Sequence, residues 1–172
     1  SQAEHDPVAQ SILITDDANF AKNVEVAVEN HLKTLGRAEI ARASWQDYGA
    51  IILVRDLSEV PALVDRVAPE HLELCVEDPD SLADKIHHAG AIFMGRYSPE
   101  AIGDYVAGPN HVLPTGRTAR FSSGLSTLDF VKRTSLMKLN ADSLRRIGPA
   151  AIALAESEGL DAHALSVSIR LN

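Results

Sequence analysis

Four short runs of aliphatic residues recur along the N-terminal part of the chain, separated by longer stretches of mixed polarity. The runs are apolar at successive positions, which is typical of strands buried on both faces, and they cover residues 11–15, 51–54, 72–76 and 91–94. The stretches between them carry apolar residues every three or four positions, which predicts helices. Strand and helix therefore alternate, and this alternation predicts an α/β fold with a mostly parallel sheet, flanking helices and right-handed crossovers.

Flanking residues indicate where these helices begin and end. Glycine tolerates the left-handed conformation that often closes a helix, so we expect Gly36 and Gly90 to follow two of the helices. Ser58 is predicted to cap another, because a serine oxygen can accept an unpaired N–H of the first turn. The run Ser98-Pro99-Glu100 combines a cap, a proline at the first helical position and an acid near the positive helix end. A helix should therefore follow the last strand.

The composition of the sequence and its pattern of predicted elements change beyond residue 107. Glycine, proline, asparagine, serine and threonine are concentrated in 108–127, and two further helices are predicted over 128–139 and 143–158 without strands between them. Such a segment can hardly bury its own apolar face, so we expect it to pack on something else, with another subunit as the candidate. The sequence thus predicts a Rossmann-like α/β portion over 1–125 and a helical tail over 126–172.

Composition narrows the classes of function. The 172 residues are 45% hydrophobic, which is enough for a sizeable core, and the net charge of −8 with no long basic run argues against nucleic acid as a partner. No apolar stretch is long enough to cross a membrane and no leader peptide opens the chain, so neither a membrane span nor secretion is predicted. The single cysteine, Cys75, is expected to be buried and fits a reducing, cytoplasmic location. A start at Ser1 without methionine suggests an excised piece of a longer protein.

Two polar pairs lie in the first half of the chain. Gln2 and His5 would share a face of a helix, and imidazole is a standard zinc ligand although a glutamine oxygen is an unusual one. Glu70 and His71 precede a strand, on the side opposite to the usual ligand edge of a parallel sheet. Neighbours in extended chain point opposite ways, so the two could act as separate proton-transfer groups. A solvated helix end and a surface pair in a loop are the structural alternatives.

Two further candidates follow the last predicted strand. Asp104 could be an oxygen ligand, with His111 delivered by the following loop, because the surrounding mixture of glycine, proline and polar residues favours a site. The alternative for Asp104 is an ordinary carboxylate on a helix surface. Glu158 and His163 stand five positions apart across Gly159, and only a glycine turn would aim both at one point. Otherwise they would cap a helix or face solvent.

Taken together, these motifs resemble those of histidinol dehydrogenases and occur in the same order. The resemblance covers essentially the whole chain, and the NHVLPT stretch is its most specific element. The segments that carry it are SQAEH at 1–5, APEHL at 68–72, GDY at 103–105, GPNHVLPT at 108–115, and EGL followed by AH at 158–163.

The resemblance implies a role for each candidate residue. It makes Glu70 and His71 the acid/base pair, and it implies a homodimer in which the tail reaches the active site of the partner subunit with the counterparts of Glu158 and His163. The implied zinc ligands are Gln2, His5, Asp104 and His163. These four, together with His71, His111 and Glu158, would also bind the substrate.

The reaction implied by the resemblance is a zinc-dependent, NAD-linked oxidation of L-histidinol to L-histidine through histidinal, the last steps of histidine biosynthesis. Family members are considerably longer, and the resemblance places most cofactor-binding residues in a missing N-terminal portion. Neither GxGxxG nor GxxxxGK[ST] occurs in this chain, so no complete nucleotide site is predicted, and the chain alone is expected to be inactive.

Two other interpretations of the residues stay open. A non-catalytic α/β binding or dimerisation module would have the same core, with the polar clusters as surface features. A zinc-dependent hydrolase would use Glu70 to activate water directly.

Overall fold

The computed structural model describes residues 1–171, which divide into two compact units, one spanning Ser1–Asp129 and the other beginning at Phe130. The tail boundary predicted from sequence composition stays a prediction.

The first unit contains the four predicted strands separated by helices, and the first two strands are separated by two helices where the sequence interpretation predicted one. Its elements are α1 (Gln2–His5), β1 (Ile12–Thr15), α2 (Ala18–His31), α3 (Ala38–Tyr48), β2 (Ala50–Leu53), α4 (Val60–Val67), β3 (His71–Leu74), α5 (Pro79–Ala83), β4 (Ala91–Met94) and α6 (Glu100–Tyr105), with 3₁₀ turns at Leu57–Glu59 and Thr118–Arg120.

Strand pairing is parallel, which confirms the predicted α/β class. β1 pairs with β2 and β3 pairs with β4, with Ile12 opposite Ala50 and His71 opposite Ala91 in the register. Within residues 1–171 the pairs form two separate two-stranded sheets. Both sheets contribute to one hydrophobic cluster with α4 and α5, whose buried members are Val54, Val60, Val64, Leu74 and Leu82. Three of the four apolar runs, those at 11–15, 51–54 and 72–76, therefore meet in a shared core.

Two predicted helix boundaries in this core are wrong. α2 ends at His31, and Gly36 is not among the residues with positive φ, so it does not close the helix. The 3₁₀ turn before α4 is capped by Asp56, whose carboxylate accepts the N–H of Ser58. Aspartate and serine both favour the N-cap position, and here Asp56, two positions before Ser58, is the capping residue.

The prediction that Cys75 is buried is wrong, because its side chain is exposed.

The start of α6 also differs from the prediction. Pro99 is the residue at the N-cap position, so Ser98 does not cap this helix. The first N–H of α6, that of Glu100, is instead accepted by a carboxylate oxygen of Glu73 on β3 at 2.7 Å. A side chain from a neighbouring strand thus replaces the local cap and fixes the helix to the sheet.

Asp65 on α4 holds the segment that follows α5. Its carboxylate accepts the backbone N–H groups of His87 and His88 at 2.8 and 2.9 Å and lies 2.8 Å from Nδ1 of His87. These contacts take the chain out of helical geometry: α5 stops at Ala83, and the helix predicted to run to Gly90 does not form. Desolvation raises the pKa of Asp65, but the hydrogen bonds from His87 and His88 outweigh it and hold the pKa below its ordinary value.

Replacement of Asp65 by asparagine is expected to lower the free energy of unfolding by about 1–2 kcal/mol at neutral pH, because an amide accepts fewer and weaker hydrogen bonds than a carboxylate. The folded-state pKa lies below the unfolded-state pKa, so the unfolded chain takes up the proton first as the pH falls. The stabilisation is therefore complete at neutral pH and is lost on acidification through the folded-state pKa. Urea unfolding at neutral and at acidic pH measures this difference.

Asp47→Asn is the matched control, since Asp47 is exposed on α3. It should leave the unfolding free energy nearly unchanged at both pH values. A gap between the wild type and Asp65→Asn that stays constant on acidification would contradict the role given to the Asp65 carboxylate.

The second unit contains two helices, α7 (Ala141–Ser157) and α8 (Asp161–Ser168), which confirms the predicted helix over 143–158. They pack closely at Gly148, where a Cβ would lie 3.2 Å from Cγ1 of Val167. The helix predicted over 128–139 is wrong: a 3₁₀ turn covers Thr127–Phe130, and residues 131–140 have no regular structure. Their apolar side chains bury little here, with Leu136 93% exposed, so no packing stabilises a helix.

None of the helices in the described part of the chain combines the length and the apolar character needed to cross a membrane.

Candidate functional site

The predicted pair Glu70 and His71 lies at the amino end of β3. α4 closes just before it at Ala68, which is buried and adopts a left-handed conformation with φ of 50°. The carbonyl oxygen of Glu70 accepts the N–H of Ala91 at 2.9 Å, which joins this residue to the ladder with β4. His71 is the first residue of β3, so its backbone is fixed by the strand pairing.

Two arginines hold the end of α4 from the other side. Arg117 and Arg120 each donate from Nη2 to the carbonyl oxygen of Arg66 at 2.7 Å. Cationic donors are favourable at this end of a helix, where the last carbonyl groups have no partner in the helix. The turn that leads into Glu70 is therefore held by both the loop and the sheet.

One face of β3 is polar and is covered by α6. Side chains alternate along a strand, so the leucines of β3 face the core while His71 and Glu73 face the opposite side. α6 is attached there by the cap from Glu73 to Glu100. It also approaches Phe93 closely, since a Cβ on Gly103 would lie 2.5 Å from Cε1 of that ring. Glycine at 103 thus lets the helix lie against the strands, with its carboxylates over β3.

Three side chains converge in this space. Nε2 of His71 lies 3.7 Å from Oε1 of Glu100 and 3.9 Å from Oδ1 of Asp104. The side chains of His71 and Glu100 are 16% and 17% exposed, and that of Asp104 is 31% exposed. Nε2 of His71 is buried and has no hydrogen-bond partner within residues 1–171. A buried nitrogen without a partner is costly unless a ligand or proton serves it, so the cluster has the character of a site.

Burial and charge act together on Glu100. Desolvation raises the pKa of its carboxyl above the ordinary value, and the nearby carboxyl groups of Asp104 and Glu73 raise it further. His71 acts in the opposite direction by favouring the charged form. The ionised carboxylate of Glu100 is therefore destabilised in this environment and would be stabilised by a cation.

A cleft of about 230 Å³ opens beside the cluster and brings Asp104 together with His111. His111 is exposed and lies in the loop after α6. In this loop the N–H of Val112 donates to Oδ1 of Asn110 at 2.8 Å. The cleft is lined by Gly90, Ala91, Phe93, Gly103, Asp104, Pro109, Asn110, His111, Leu113, Gly124 and Leu125. The loop after α6 thus forms one wall of the space next to Asp104.

Gln2 and His5 both lie on α1, whose amino end reaches the cluster. Oγ of Ser1 donates to Oε2 of Glu100 at 3.5 Å, while the carbonyl oxygen of His5 accepts from Nη2 of Arg37 at 3.2 Å. The side chain of His5 is exposed and is not one of the three clustered groups. The structure therefore brings the start of α1 to Glu100, and the ligand roles of Gln2 and His5 stay predictions.

Glu158 and His163 belong to the second unit. Glu158 is the C-cap residue of α7 and His163 lies in the first turn of α8, and both side chains are exposed. Gly159 between them has φ of 72°, which is the glycine turn that the spacing requires. Their assignment to a site stays a prediction.

Sequence reasoning missed one member of the cluster. Glu100 was interpreted only as an acid near a helix end, yet it stands four positions before Asp104, which places both carboxylates on one face of α6. That spacing was the available signal. The distance to His71 was not available from sequence, because it depends on how α6 packs on β3.

The cluster offers one imidazole nitrogen and two carboxylate groups, whose ligand atoms all lie within 4.8 Å of one another. Nitrogen and carboxylate oxygen are ordinary zinc ligands, so the residues present fit that metal. A neutral imidazole nitrogen without a hydrogen bond can also accept a proton from a bound alcohol. The geometry is therefore suited to proton transfer next to a bound cation.

Comparisons with known proteins agree on one family. The family model described as histidinol dehydrogenase matches residues 1–171. Among curated relatives, the histidinol dehydrogenase of Rhodospirillum rubrum is 69% identical and that of Rhizobium meliloti is 65% identical, each aligned over all of this chain and 40% of the relative. A crystal structure of histidinol dehydrogenase from Elizabethkingia anophelis superimposes with a TM-score of 0.89 at 38% identity, covering 98% of this chain and 39% of that one. The chain spans about two fifths of the length of these relatives.

Proposed function

This chain belongs to the histidinol dehydrogenase family, and we propose that it supplies the proton-transfer and metal-binding part of a site that oxidises L-histidinol to L-histidine. The observation that supports this most is the cluster of His71, Glu100 and Asp104, in which a buried imidazole nitrogen faces two carboxylates and has no hydrogen-bond partner among the described residues. The whole reaction belongs to the longer protein, since this chain spans only 40% of its relatives.

His71 is the proposed proton acceptor for the alcohol. Oxidation of an alcohol to an aldehyde removes the hydroxyl proton and a hydride from the carbon, and a neutral Nε2 can take the proton. Nε2 is buried and accepts no hydrogen bond from the described residues, so its lone pair is available for the hydroxyl proton. NAD, when bound, would supply the hydride acceptor, and none of the described residues is assigned to it.

Glu70 is the proposed base for the second half of the reaction. Addition of water to the aldehyde gives the hydrate anion when a proton leaves the water molecule, and a carboxylate at the amino end of β3 can accept that proton. Loss of a second hydride from this anion, for which a further NAD molecule would be the acceptor, then yields the carboxylic acid. Glu70 lies at the bend just before β3 and His71 is the first residue of that strand, so two adjacent but separate side chains are available for the two steps.

Asp104 is the zinc ligand that the structure supports best, because its carboxylate lies within the cluster and lines the adjoining cleft. With Gln2, His5 and His163 it would hold the metal, which when bound would orient the imidazole and amino nitrogens of histidinol. His111 and Glu158 would line the substrate pocket. Glu158 and His163 are proposed to come from the partner subunit of a homodimer.

Replacement of Asp104 by asparagine tests the metal role. In a full-length histidinol dehydrogenase that contains this chain, the change should weaken zinc binding at least about tenfold, because an amide oxygen has no charge to offset that of the metal. Zinc content after equilibration with a calibrated chelator is the measurement, with histidinol oxidation assayed in parallel.

Asp80→Asn is a suitable control, since Asp80 is an exposed residue of α5 outside the cluster. It should bind zinc as the wild type does. Full zinc occupancy in the Asp104→Asn protein under the same chelator would remove Asp104 from the ligand set.

A further inference from the structure

The cluster beside the cleft contains an acid that the family resemblance does not assign. Glu100 is 17% exposed and makes no ion pair with a lysine or arginine within residues 1–171. Asp104 likewise makes no ion pair with a lysine or arginine within these residues. His71, which faces both carboxylates, has a buried Nε2 with no hydrogen-bond partner in the same range. Three groups able to ligate a metal thus face one another with no internal cation to balance two negative charges.

We propose that Glu100 is a metal ligand and that, in the substrate-free protein, His71, Glu100 and Asp104 together bind one divalent cation. The inference rests on the proposed function in one respect, that Asp104 is a metal ligand. It adds Glu100 to the site and gives Nε2 of His71 a partner before substrate arrives.

The distances are close to those around a shared cation. Zinc bonds to imidazole nitrogen and carboxylate oxygen are about 2.0–2.2 Å long and zinc favours tetrahedral coordination, so two ligand atoms on one ion lie about 3.3–3.6 Å apart. The distances from Nε2 of His71 to the two carboxylates are 3.7 and 3.9 Å, a few tenths of an ångström longer. The remaining separation is at most 4.8 Å, between the two carboxylates on the same helix face. Small rotations of two side chains would therefore complete the coordination.

The placement of Glu100 favours a ligand over a solvated acid. A carboxylate removed from water is unfavourable unless a counter-charge or hydrogen bonds compensate it. Its contact outside the cluster is a 3.5 Å hydrogen bond from Oγ of Ser1, which is at the weak end of the range. A divalent cation would satisfy the carboxylate, the imidazole and Asp104 at once.

His71 would have two roles in succession: it would bind the cation before substrate arrives, and it would accept a proton after substrate has bound. Histidinol carries an imidazole and an amino nitrogen, both of which compete for a cation. Binding of those nitrogens would displace Nε2 of His71 and leave its lone pair free to accept the hydroxyl proton. Both states need the same neutral form of the imidazole.

Titration of the full chain with Co²⁺, whose visible absorption reports coordination, tests the assignment of Glu100. The wild type should bind one equivalent, and Glu100→Gln should weaken the binding at least about tenfold, as expected for loss of a group at a metal site. Glu77→Gln makes the same chemical change at an exposed position after β3 and should bind as the wild type does. Absence of binding in the wild type, or wild-type affinity in Glu100→Gln, would overturn the inference.

A second measurement covers the case in which Glu100→Gln does not fold. With ¹⁵N-labelled histidine, addition of Zn²⁺ to the wild-type chain should shift the Nε2 resonance of His71, and Glu100→Asp, which keeps the charge on a shorter side chain, should retain part of the shift. An unmoved His71 resonance at saturating Zn²⁺ contradicts the proposed ligand set.

The His163→Ala variant of the same chain separates this inference from the proposed function. Weaker Co²⁺ binding in His163→Ala together with wild-type binding in Glu100→Gln overturns the inference and leaves the proposed ligand His163. Weaker binding in Glu100→Gln with wild-type binding in His163→Ala supports the inference and removes His163 from the proposed set.

Discussion

Replacement of His71 by asparagine, in a full-length histidinol dehydrogenase that contains this chain, is expected to lower kcat for histidinol oxidation by about 10²–10⁴-fold, the usual contribution of a positioned acid or base. Asparagine preserves much of the shape of the imidazole but cannot take up a proton at the position of Nε2. The measurement is steady-state oxidation at saturating histidinol and with zinc in excess, so that metal loading does not limit the rate. KM should change much less than kcat, because the lost group acts in the transition state.

His31→Asn is the control for this substitution, because His31 is exposed in the last turn of α2, far along the chain from the cluster. Its kcat should match that of the wild type. If His71→Asn also retains the wild-type kcat under saturating zinc, the proton acceptor must be sought elsewhere.

Replacement of Gly90 by alanine is expected to destabilise the fold and to slow catalysis together. A Cβ at this position would lie 2.6 Å from the carbonyl oxygen of Glu70 and 3.1 Å from Cδ of Pro114. The first contact is with backbone, which cannot rotate away, so the free energy of unfolding should fall by about 1–3 kcal/mol. The same displacement moves Glu70 and His71, and misplacement by about 1 Å can lower kcat by about 10²-fold.

Gly36→Ala provides the comparison, since no atom lies within 4 Å of the Cβ that would be added there. It should be neutral or slightly stabilising, because alanine restricts the unfolded chain more than glycine does. Urea unfolding and the kcat of both variants give the two readouts. Wild-type stability in Gly90→Ala would mean that the chain at Glu70 is free to move.

The strands could be predicted from sequence because their signal is local. The run 91–94 coincides with β4, and the other three runs overlap their strands with shifts of one or two residues at their ends. Continuous apolar character depends on burial, which the sequence records directly. The exception is β3, which alternates His71 and Glu73 with leucines; the apolar run hid a polar face.

The ends of the helices were harder to predict from sequence than the strands, because the groups that fix these ends are distant along the chain. Asp65 reaches over 22 residues to the N–H of His87, and Glu73 reaches over 27 residues to that of Glu100. Caps of this kind leave no pattern in the neighbouring residues, so Gly90 and Ser98 were assigned roles that other groups fill. Local propensity was overridden by tertiary contacts in both places.

Two of the three clustered residues were predicted from sequence, whereas Glu100 and the arrangement of the cluster were not. His71 and Asp104 were identified from their motifs, and their approach to 3.9 Å follows from packing of α6 on the polar face of β3. That packing also explains why the cluster lies at the amino end of a strand, opposite to the usual ligand edge. The helix after β4 lies back across the sheet and carries its carboxylates to His71.

The hydrogen bond between Glu73 and the first turn of α6 has a consequence for the energetics of ligand binding. It joins the strand that bears the imidazole to the helix that bears both carboxylates, so these three side chains extend from two hydrogen-bonded elements. Ordering a flexible side chain upon association costs about 0.5–1.5 kcal/mol, and a preorganised frame avoids much of that loss. A ligand that binds this cluster would therefore lose less interaction energy to ordering the side chains that contact it.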